Sequence, residues 1–236
     1  MEPKEPYTDL FKPTPLLPIL LQIHRVTART QVDSFINYII DSRQSIKKMQ
    51  EDFNKSVEEE AKKHPQEEQE IYEWYEDQYY QYSEVYPVLF MNSTALSLYS
   101  FFEFNLKSLC HTLYVQKKYS KNPDKLTGNN YIEKSKRYLK LYAGIDLTDI
   151  EKLWQEITKF QKIRNCIVHN NSNIIKNKGQ KIEKQPLYQI IKKNKNLELN
   201  KEKGTFIIKD DQFLLDFCDI IEKYFVSVVE KLEKVI

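Results

Sequence analysis

One short stretch of this sequence carries side chains that could perform chemistry on RNA. Arg164, Asn165 and His169 lie within six residues, at the end of a segment with helical periodicity. When RNA is cleaved by its own 2′-hydroxyl, a base, an acid and a cation that stabilises the crowded phosphorane are needed. Histidine titrates near neutral pH and can serve as base or acid. Arginine stays protonated, and its planar fork matches phosphate oxygens.

The spacing of these residues limits what one copy of the chain can do with them. At about 100° per residue, positions 164 and 169 lie about 140° apart around an ideal helix. Asn165 and His169, four residues apart, share one face. One copy is therefore a poor site unless the helix distorts near its end. Two copies that face each other across a twofold axis would bring two arginines and two histidines into one cleft, so we expect a homodimer.

The helix that must position the stretch shows signals for both of its ends. Thr148 and Glu151 have the spacing of a capping box, which predicts a start near Thr148. The apolar residues that follow have helical spacing; they are Ile150, Leu153, Ile157 and Phe160. The same phase leads on to Arg164. We therefore predict that this helix ends at or just after His169.

Composition indicates a mostly helical chain with a substantial core. The chain has 236 residues and only four glycines, and its formal net charge of +2 gives no global basic field. Three cysteines without metal-ligand spacing indicate buried thiols in a reducing compartment, so we expect a cytoplasmic protein. The N-terminus lacks the features of a signal peptide, and its longest apolar run is too short to span a bilayer. We therefore expect no membrane association.

The rest of the chain reads as a succession of helices. We predict an N-terminal arm with a short helix over residues 1–26, followed by one helical domain over residues 27–236. Helices are expected over about 27–63, 66–84, 94–118 and 131–142. The pair His64-Pro65 ends the first of them, Pro87 breaks the second, and Asn92 or Ser93 caps the third.

A polar insertion, residues 170–211, separates the Arg–His helix from the last helix. It contains a predicted hairpin with strands 197–199 and 205–208 and a turn over 201–204. Asp210 or Asp211 is placed to cap the last helix. The predicted fold class is therefore all-α, an antiparallel helical bundle with a small β-hairpin inserted before the last helix.

Charge is segregated along the chain. Residues 51–77 hold eleven acidic residues and three lysines, whereas residues 176–203 hold nine lysines and three glutamates. Lys176, Lys178 and Lys181 directly follow the Arg–His stretch and could steer an RNA backbone, although an ordinary solvated loop explains them equally well. The tyrosines and Trp74 within residues 72–86 could stack bases, but aromatics at this density more often form a core or a dimer interface.

The Arg164–His169 stretch resembles the signature of HEPN-domain proteins (higher eukaryotes and prokaryotes nucleotide-binding). In that signature an arginine, often followed by Asn, Asp or His, precedes a histidine by four to six intervening residues. The order of helices over about residues 27–236 is also similar. Members with this motif are commonly metal-independent endoribonucleases that act as dimers in toxin–antitoxin, anti-phage and RNA-processing systems.

The resemblance implies roles for particular residues. Arg164 and His169 would be catalytic, Asn165 would support them, and Glu103 would be the acidic residue that the family often carries on an earlier helix. No metal and no cofactor is expected. The chain departs from the family at Asn171, where toxins paired with a nucleotidyltransferase antitoxin often have a tyrosine, and this argues against regulation by modification of that side chain.

Two functions remain open from the sequence. The first is a homodimeric RNA endonuclease that leaves a 2′,3′-cyclic phosphate, acting as a toxin or anti-phage effector whose further partner is an antitoxin or another defence protein. The second is a non-catalytic HEPN module that binds RNA, a nucleotide or a protein. In the second case His169 is a helix-end histidine beside the negative end of the helix dipole, and Arg164 extends outward from the core.

Overall fold

The computed structural model of the protein describes residues 16–128, 130–175 and 179–235. These residues are mostly helical, with one small antiparallel sheet just before the last helix, as predicted. The helices are α1 (Leu16–Lys63), α2 (Glu68–Tyr80), α3 (Tyr86–Lys117), α4 (Tyr131–Leu141), α5 (Glu151–Asn170), α6 (Tyr188–Lys193) and α7 (Gln212–Val235), and the strands are β1 (Leu197–Asn200) and β2 (Thr205–Ile208). None of the described helices combines the length and the apolar character needed to cross a membrane.

The chain forms two compact units, each assembled from separate stretches of sequence. Of the described residues, the first unit holds 16–29, 103–128, 130–149 and 225–235. The second unit holds 30–102, 150–175 and 179–224. Helices α1, α3 and α7 therefore each contribute residues to both units.

The core of the first unit combines aliphatic side chains with a small tyrosine cluster. Its buried aliphatic residues include Leu17, Leu21, Leu106, Leu109, Leu113, Leu139, Val228 and Leu232. The Tyr138 ring stacks on Tyr142 with 4.7 Å between ring centres, and the Tyr138 hydroxyl donates to the Lys121 carbonyl at 3.0 Å. Helix α4 has nearly its predicted bounds, because the Asn130 side chain accepts the Ile132 amide and caps the first turn.

The core of the second unit is dominated by aromatic rings on α5 and α7. Phe160 lies parallel to Phe217 and to Phe213, with ring centres 3.5 and 5.2 Å apart. Trp154 packs against Tyr224 at 5.5 Å. These rings hold α5, which carries the Arg–His stretch, against α7.

Helix α1 is longer than predicted. It begins at Leu16, so the separate short helix expected before Thr27 is part of one continuous helix. The prediction was wrong because Pro18 lies in the first turn, where the missing N–H would have no partner within the helix anyway. The predicted end is confirmed, since the last helical residue is Lys63, just before His64-Pro65.

Helix α3 also begins earlier than predicted. Its first residue is Tyr86, so Asn92 and Ser93 lie inside the helix and do not cap it. The chain between α2 and α3 is not broken at Pro87, because Gln81–Val85 form a π-helical turn. A π turn shifts the hydrogen-bond ladder by one residue and so accommodates a proline that lacks an N–H.

The predicted hairpin is confirmed, and it belongs to a packed structure rather than to an open loop. Strands β1 and β2 pair from Leu197 opposite Ile208 to Asn200 opposite Thr205. The buried residues of the insertion include Ile174, Leu187, Tyr188, Ile191, Leu197, Phe206 and Ile208. The Asp210 carboxylate accepts the Gln212 amide at 2.8 Å, so Asp210 provides the side-chain cap of α7.

The three cysteines are buried thiols, as predicted. Burial raises the pKa of the Cys110 thiol and of the Cys218 thiol to about 12. The Cys110 thiol donates to the Ser135 carbonyl at 3.6 Å. Because the thiolate is the reactive form, these two side chains are packing residues.

Candidate functional site

Helix α5 positions the Arg–His stretch, and its start differs from the prediction. It begins at Glu151 with Ile150 as the N-cap residue, so the capping box predicted at Thr148 is not formed. Thr148 is instead engaged two residues before the cap, where its hydroxyl and amide donate to Asp146 at 2.5 and 2.9 Å. These hydrogen bonds lower the pKa of Asp146.

The end of α5 is fixed by a left-handed turn and by the hairpin. The last helical residue is Asn170, as predicted, and Asn171 adopts φ 47° and ψ 52° while its N–H donates to the Cys166 carbonyl. The Ser172 N–H donates to the same carbonyl at 3.2 Å, and the Ser172 carbonyl accepts the Phe206 N–H at 3.1 Å. The chain after the helix is thereby tied to β2.

His169 and Asn165 line one open cleft of about 610 Å³ at this end of α5. The remaining lining residues are Lys162, Cys166 and Asn170 of α5 and Ile175, Pro186 and Leu187 of the insertion. His169 is exposed, and within the described residues its imidazole makes no hydrogen bond. The predicted shared face of Asn165 and His169 is thus confirmed, and both imidazole nitrogens are available to a ligand.

Arg164 is half-buried and, among the described residues, is not part of that cleft. Its guanidinium carbon lies 5.2 Å from the centre of the Tyr99 ring, a cation–π contact that holds the side chain in place. Its Nη1 donates to the Asn165 Oδ1 at 3.1 Å. Its Nε is buried and has no acceptor in the described part of the chain. An unsatisfied buried N–H of a cation is costly and indicates a missing anionic or polar partner.

Asn165 connects the two sides of the site. Its side-chain oxygen accepts from Arg164, while the residue also lines the cleft of His169. Asn165 therefore contacts the arginine and at the same time faces the cleft of the histidine. One copy of the chain brings Asn165 together with each catalytic candidate, but does not place Arg164 in the cleft of His169.

Two residues at the site were missed as functional candidates. Tyr99 is a buried residue of α3, 2% exposed, and it also serves as the platform for Arg164. Its hydroxyl accepts from the Gln161 side chain at 2.5 Å, which fixes the ring. Lys162 lines the cleft. The spacing of Lys162, three residues before Asn165 and seven before His169, is the helical signal that could have found it.

The remaining predicted site residues are Glu103, Lys176, Lys178 and Lys181. Glu103 is half-buried on α3 in the first unit, whereas the Arg–His stretch belongs to the second. Lys181 is exposed just before a 3-10 turn at Ile182–Lys184 and is not among the cleft residues described. Lys176 and Lys178 lie outside the described residues.

Comparisons with known proteins assign no function to the chain, so its own site residues are the basis for one. No protein-family model matches the sequence, and no curated protein or solved structure matches it. Among the described residues, no three histidine, cysteine, aspartate or glutamate side chains are grouped so that they could hold a metal ion. The groups that could perform chemistry at the end of α5 are the exposed His169 imidazole, the Asn165 amide and the Arg164 guanidinium held on Tyr99.

Proposed function

We propose that the protein is a metal-independent RNA endonuclease with a HEPN-like helical bundle, active as a homodimer. The observation that carries the proposal is the arrangement at the end of α5. Within the described part of the chain, an imidazole without a hydrogen-bond partner faces an open cleft, and the adjacent arginine is held by Tyr99 and Asn165 with one N–H unsatisfied. This combination suits a scissile phosphate better than it suits a packed helix end.

Each residue has a defined role in the proposed reaction. The 2′-oxygen attacks phosphorus as the His169 imidazole removes its proton, and the imidazolium so formed protonates the departing 5′-oxygen. The products are a 2′,3′-cyclic phosphate and a 5′-hydroxyl. Arg164 stabilises the negative charge of the phosphorane, and Lys162 attracts the phosphate backbone. Asn165 positions the guanidinium.

A second copy of the chain supplies what one copy lacks. One cleft holds one histidine without Arg164, whereas the reaction uses a base, an acid and a cation together. The start of α1 offers a contact surface of the right kind. Four apolar residues there are each at least 44% exposed, at spacings of three, four and three; they are Leu16, Ile19, Ile23 and Val26. A stripe with this spacing is typical of a helix that packs on another helix.

Cleavage of a fluorescent RNA in the presence of EDTA tests the proposal. Replacing His169 with alanine should reduce the cleavage rate by about 100- to 10,000-fold, because proton transfer is lost. His64→Ala removes an exposed histidine at the end of α1 and is the matched control, with no expected change. A substrate with a 2′-deoxyribose at the cleaved position should resist the wild-type enzyme. Equal cleavage by wild type and His169→Ala would refute the nuclease.

Mixing two inactive variants tests the composite site. If Arg164 of one copy works with His169 of the other, Arg164→Ala and His169→Ala each inactivate the homodimer. A heterodimer of the two variants retains one complete pair, so co-refolding them should restore part of the activity. A mixture that remains inactive although mass spectrometry shows heterodimers would place the working arginine and histidine in the same copy.

The separation of Arg164 from the cleft within one copy also favours a second candidate, a non-catalytic HEPN module. Such a module would bind RNA, a nucleotide or a partner protein without turnover, and its affinity would not depend on the 2′-hydroxyl. Binding of 2′-deoxy and ribose substrates with equal affinity, without products, is the outcome that selects it. A role as a toxin or anti-phage effector, with an antitoxin or another defence protein as partner, belongs to the nuclease proposal.

A further inference from the structure

Helix α2 contributes nothing to the buried core of the described chain. None of its 13 residues is buried, and Trp74 is 84% exposed. Tyr72, Tyr79 and Tyr80 are each more than 40% exposed. A helix of this length is marginal in water by itself. So many exposed rings on one short helix therefore indicate a surface that another molecule covers.

A groove with an aromatic floor runs between α2 and the last turns of α1. Its volume is about 570 Å³, within the range of about 300–1,000 Å³ that is typical of ligand pockets. Phe53 of α1 meets the edge of Tyr75 at 5.9 Å and also packs on Tyr82 at 5.1 Å, so these rings hold the two helices together. The aromatic and apolar lining consists of Phe53, Val57, Tyr72, Tyr75 and Tyr79.

Asn54 and three carboxylates complete the lining of this tyrosine groove; the carboxylates are Glu58, Glu73 and Glu76. Within the described residues none of the three forms an ion pair, although Glu73 accepts a hydrogen bond from Gln69 at 2.9 Å. The surrounding stretch, residues 51–77, has eleven acidic residues against three lysines. A field of this sign repels the phosphates of RNA and attracts cations.

We propose that the tyrosine groove binds an arginine-rich segment of a partner protein. A guanidinium stacks on tyrosine rings through its flat face and donates paired hydrogen bonds to a carboxylate through its edge. The groove offers both kinds of partner side by side. A lysine ammonium gains the charge attraction but lacks the planar stacking, so arginine is the preferred cation. Unlike the nuclease proposal, this inference does not involve the Arg–His stretch.

Fluorescence anisotropy with a labelled nona-arginine peptide tests the proposal on the full chain. The variant Glu73→Gln/Glu76→Gln should weaken binding about tenfold, because it removes two carboxylates from the groove. Glu70→Gln/Asp77→Asn removes the same charge from α2 outside the groove lining and should change affinity less than about twofold, since exposed charges are screened. Equal weakening by both variants would show that general charge attraction explains the binding, and it would refute binding in the groove.

Stacking of guanidinium groups on the tyrosine rings is tested by comparing nona-arginine with nona-lysine. Wild type should prefer the arginine peptide about threefold or more, and Tyr75→Leu/Tyr79→Leu should remove that preference while its carboxylates stay. Trp74→Leu, on the same helix outside the groove lining, should keep it. Circular dichroism confirms that each variant retains its helices. An absent preference in wild type would overturn the proposal. Release by the peptide of a self-association mediated by the chain's own lysine-rich insertion would also overturn it.

Discussion

Helices α5 and α2 both carry aromatic and charged residues in one compact unit, yet they are stabilised in opposite ways. Six residues of α5 are buried: Trp154, Ile157, Phe160, Ile163, Cys166 and Ile167. In the described chain, α2 has none. The difference is one of burial, because Tyr72, Tyr75 and Tyr79 of α2 also recur every three or four positions but line an open groove, whereas the apolar face of α5 is packed in the core.

The buried face of α5 suits a function that needs fixed side chains, whereas the exposed face of α2 suits one that adapts to a partner. The core of α5 holds the backbone of Arg164 and His169, and the hairpin ties down its end. A catalytic pair needs such support, because small displacements of reacting groups cost large factors in rate. The exposed rings of α2 have no such support, and suit a surface that recognises a flexible segment. Substitutions in the two helices should therefore differ in what they change.

The largest effect on stability is expected for Phe160→Ala. The ring stacks on Phe217 and on Phe213 in the core that anchors α5, so its loss leaves a cavity and should lower the free energy of unfolding by about 3–5 kcal/mol. Urea denaturation followed by circular dichroism measures the change. Phe104→Ala is the matched control, because Phe104 is exposed, and it should cost less than about 0.5 kcal/mol. Similar losses for the two variants would contradict a core centred on α5.

A smaller loss is expected for Gly204→Ala, at the turn that ties the hairpin to the chain after α5. Gly204 has φ +68°, and an added Cβ would lie 2.3 Å from the Ile175 Cδ1. Backbone strain and steric overlap together should lower the free energy of unfolding by about 1–3 kcal/mol.

Gly144→Ala is the control for the strain alone. Gly144 has φ +70° with no heavy atom within 4 Å of an added Cβ, so the difference between the two variants measures the overlap at Ile175. Both are measured by thermal unfolding. An equal shift in Tm for the two variants would show that Ile175 yields without cost, and that the hairpin does not hold the end of α5 rigidly.

The sequence was informative wherever a short-range signal determined the structure. The hairpin has its predicted strands and turn, since Asn200 accepts the amides of Glu202 and Lys203 and glycine occupies the left-handed position. The end of α5 was predicted within one residue. Asn165 and His169 share a face because residues four apart on a helix must do so.

The errors arose where a residue's effect depends on its position or on a distant partner. Pro87 was read as a break but lies next to a π turn, and the helix expected from about residue 27 begins at Leu16, with Pro18 in its first turn. The capping box failed because Asp146 engages Thr148 first. The platform under Arg164 could not be found from spacing, since Tyr99 is 65 positions away and its ring is brought there by the packing of α3.

The smallest effect is expected for Trp74→Ala on α2, and its sign sharpens the contrast with Phe160. Although tryptophan is the larger side chain, this one is 84% exposed, and alanine is the better helix former. The free energy of unfolding should change by less than about 0.5 kcal/mol, or rise slightly, in the same urea experiment. Repeating the measurement over a hundredfold range of protein concentration tests whether a second copy of the chain covers Trp74. A loss above about 1 kcal/mol that shrinks on dilution would mean that Trp74 is buried between two copies of the chain, and α2 would then belong to the dimer rather than to a separate partner surface.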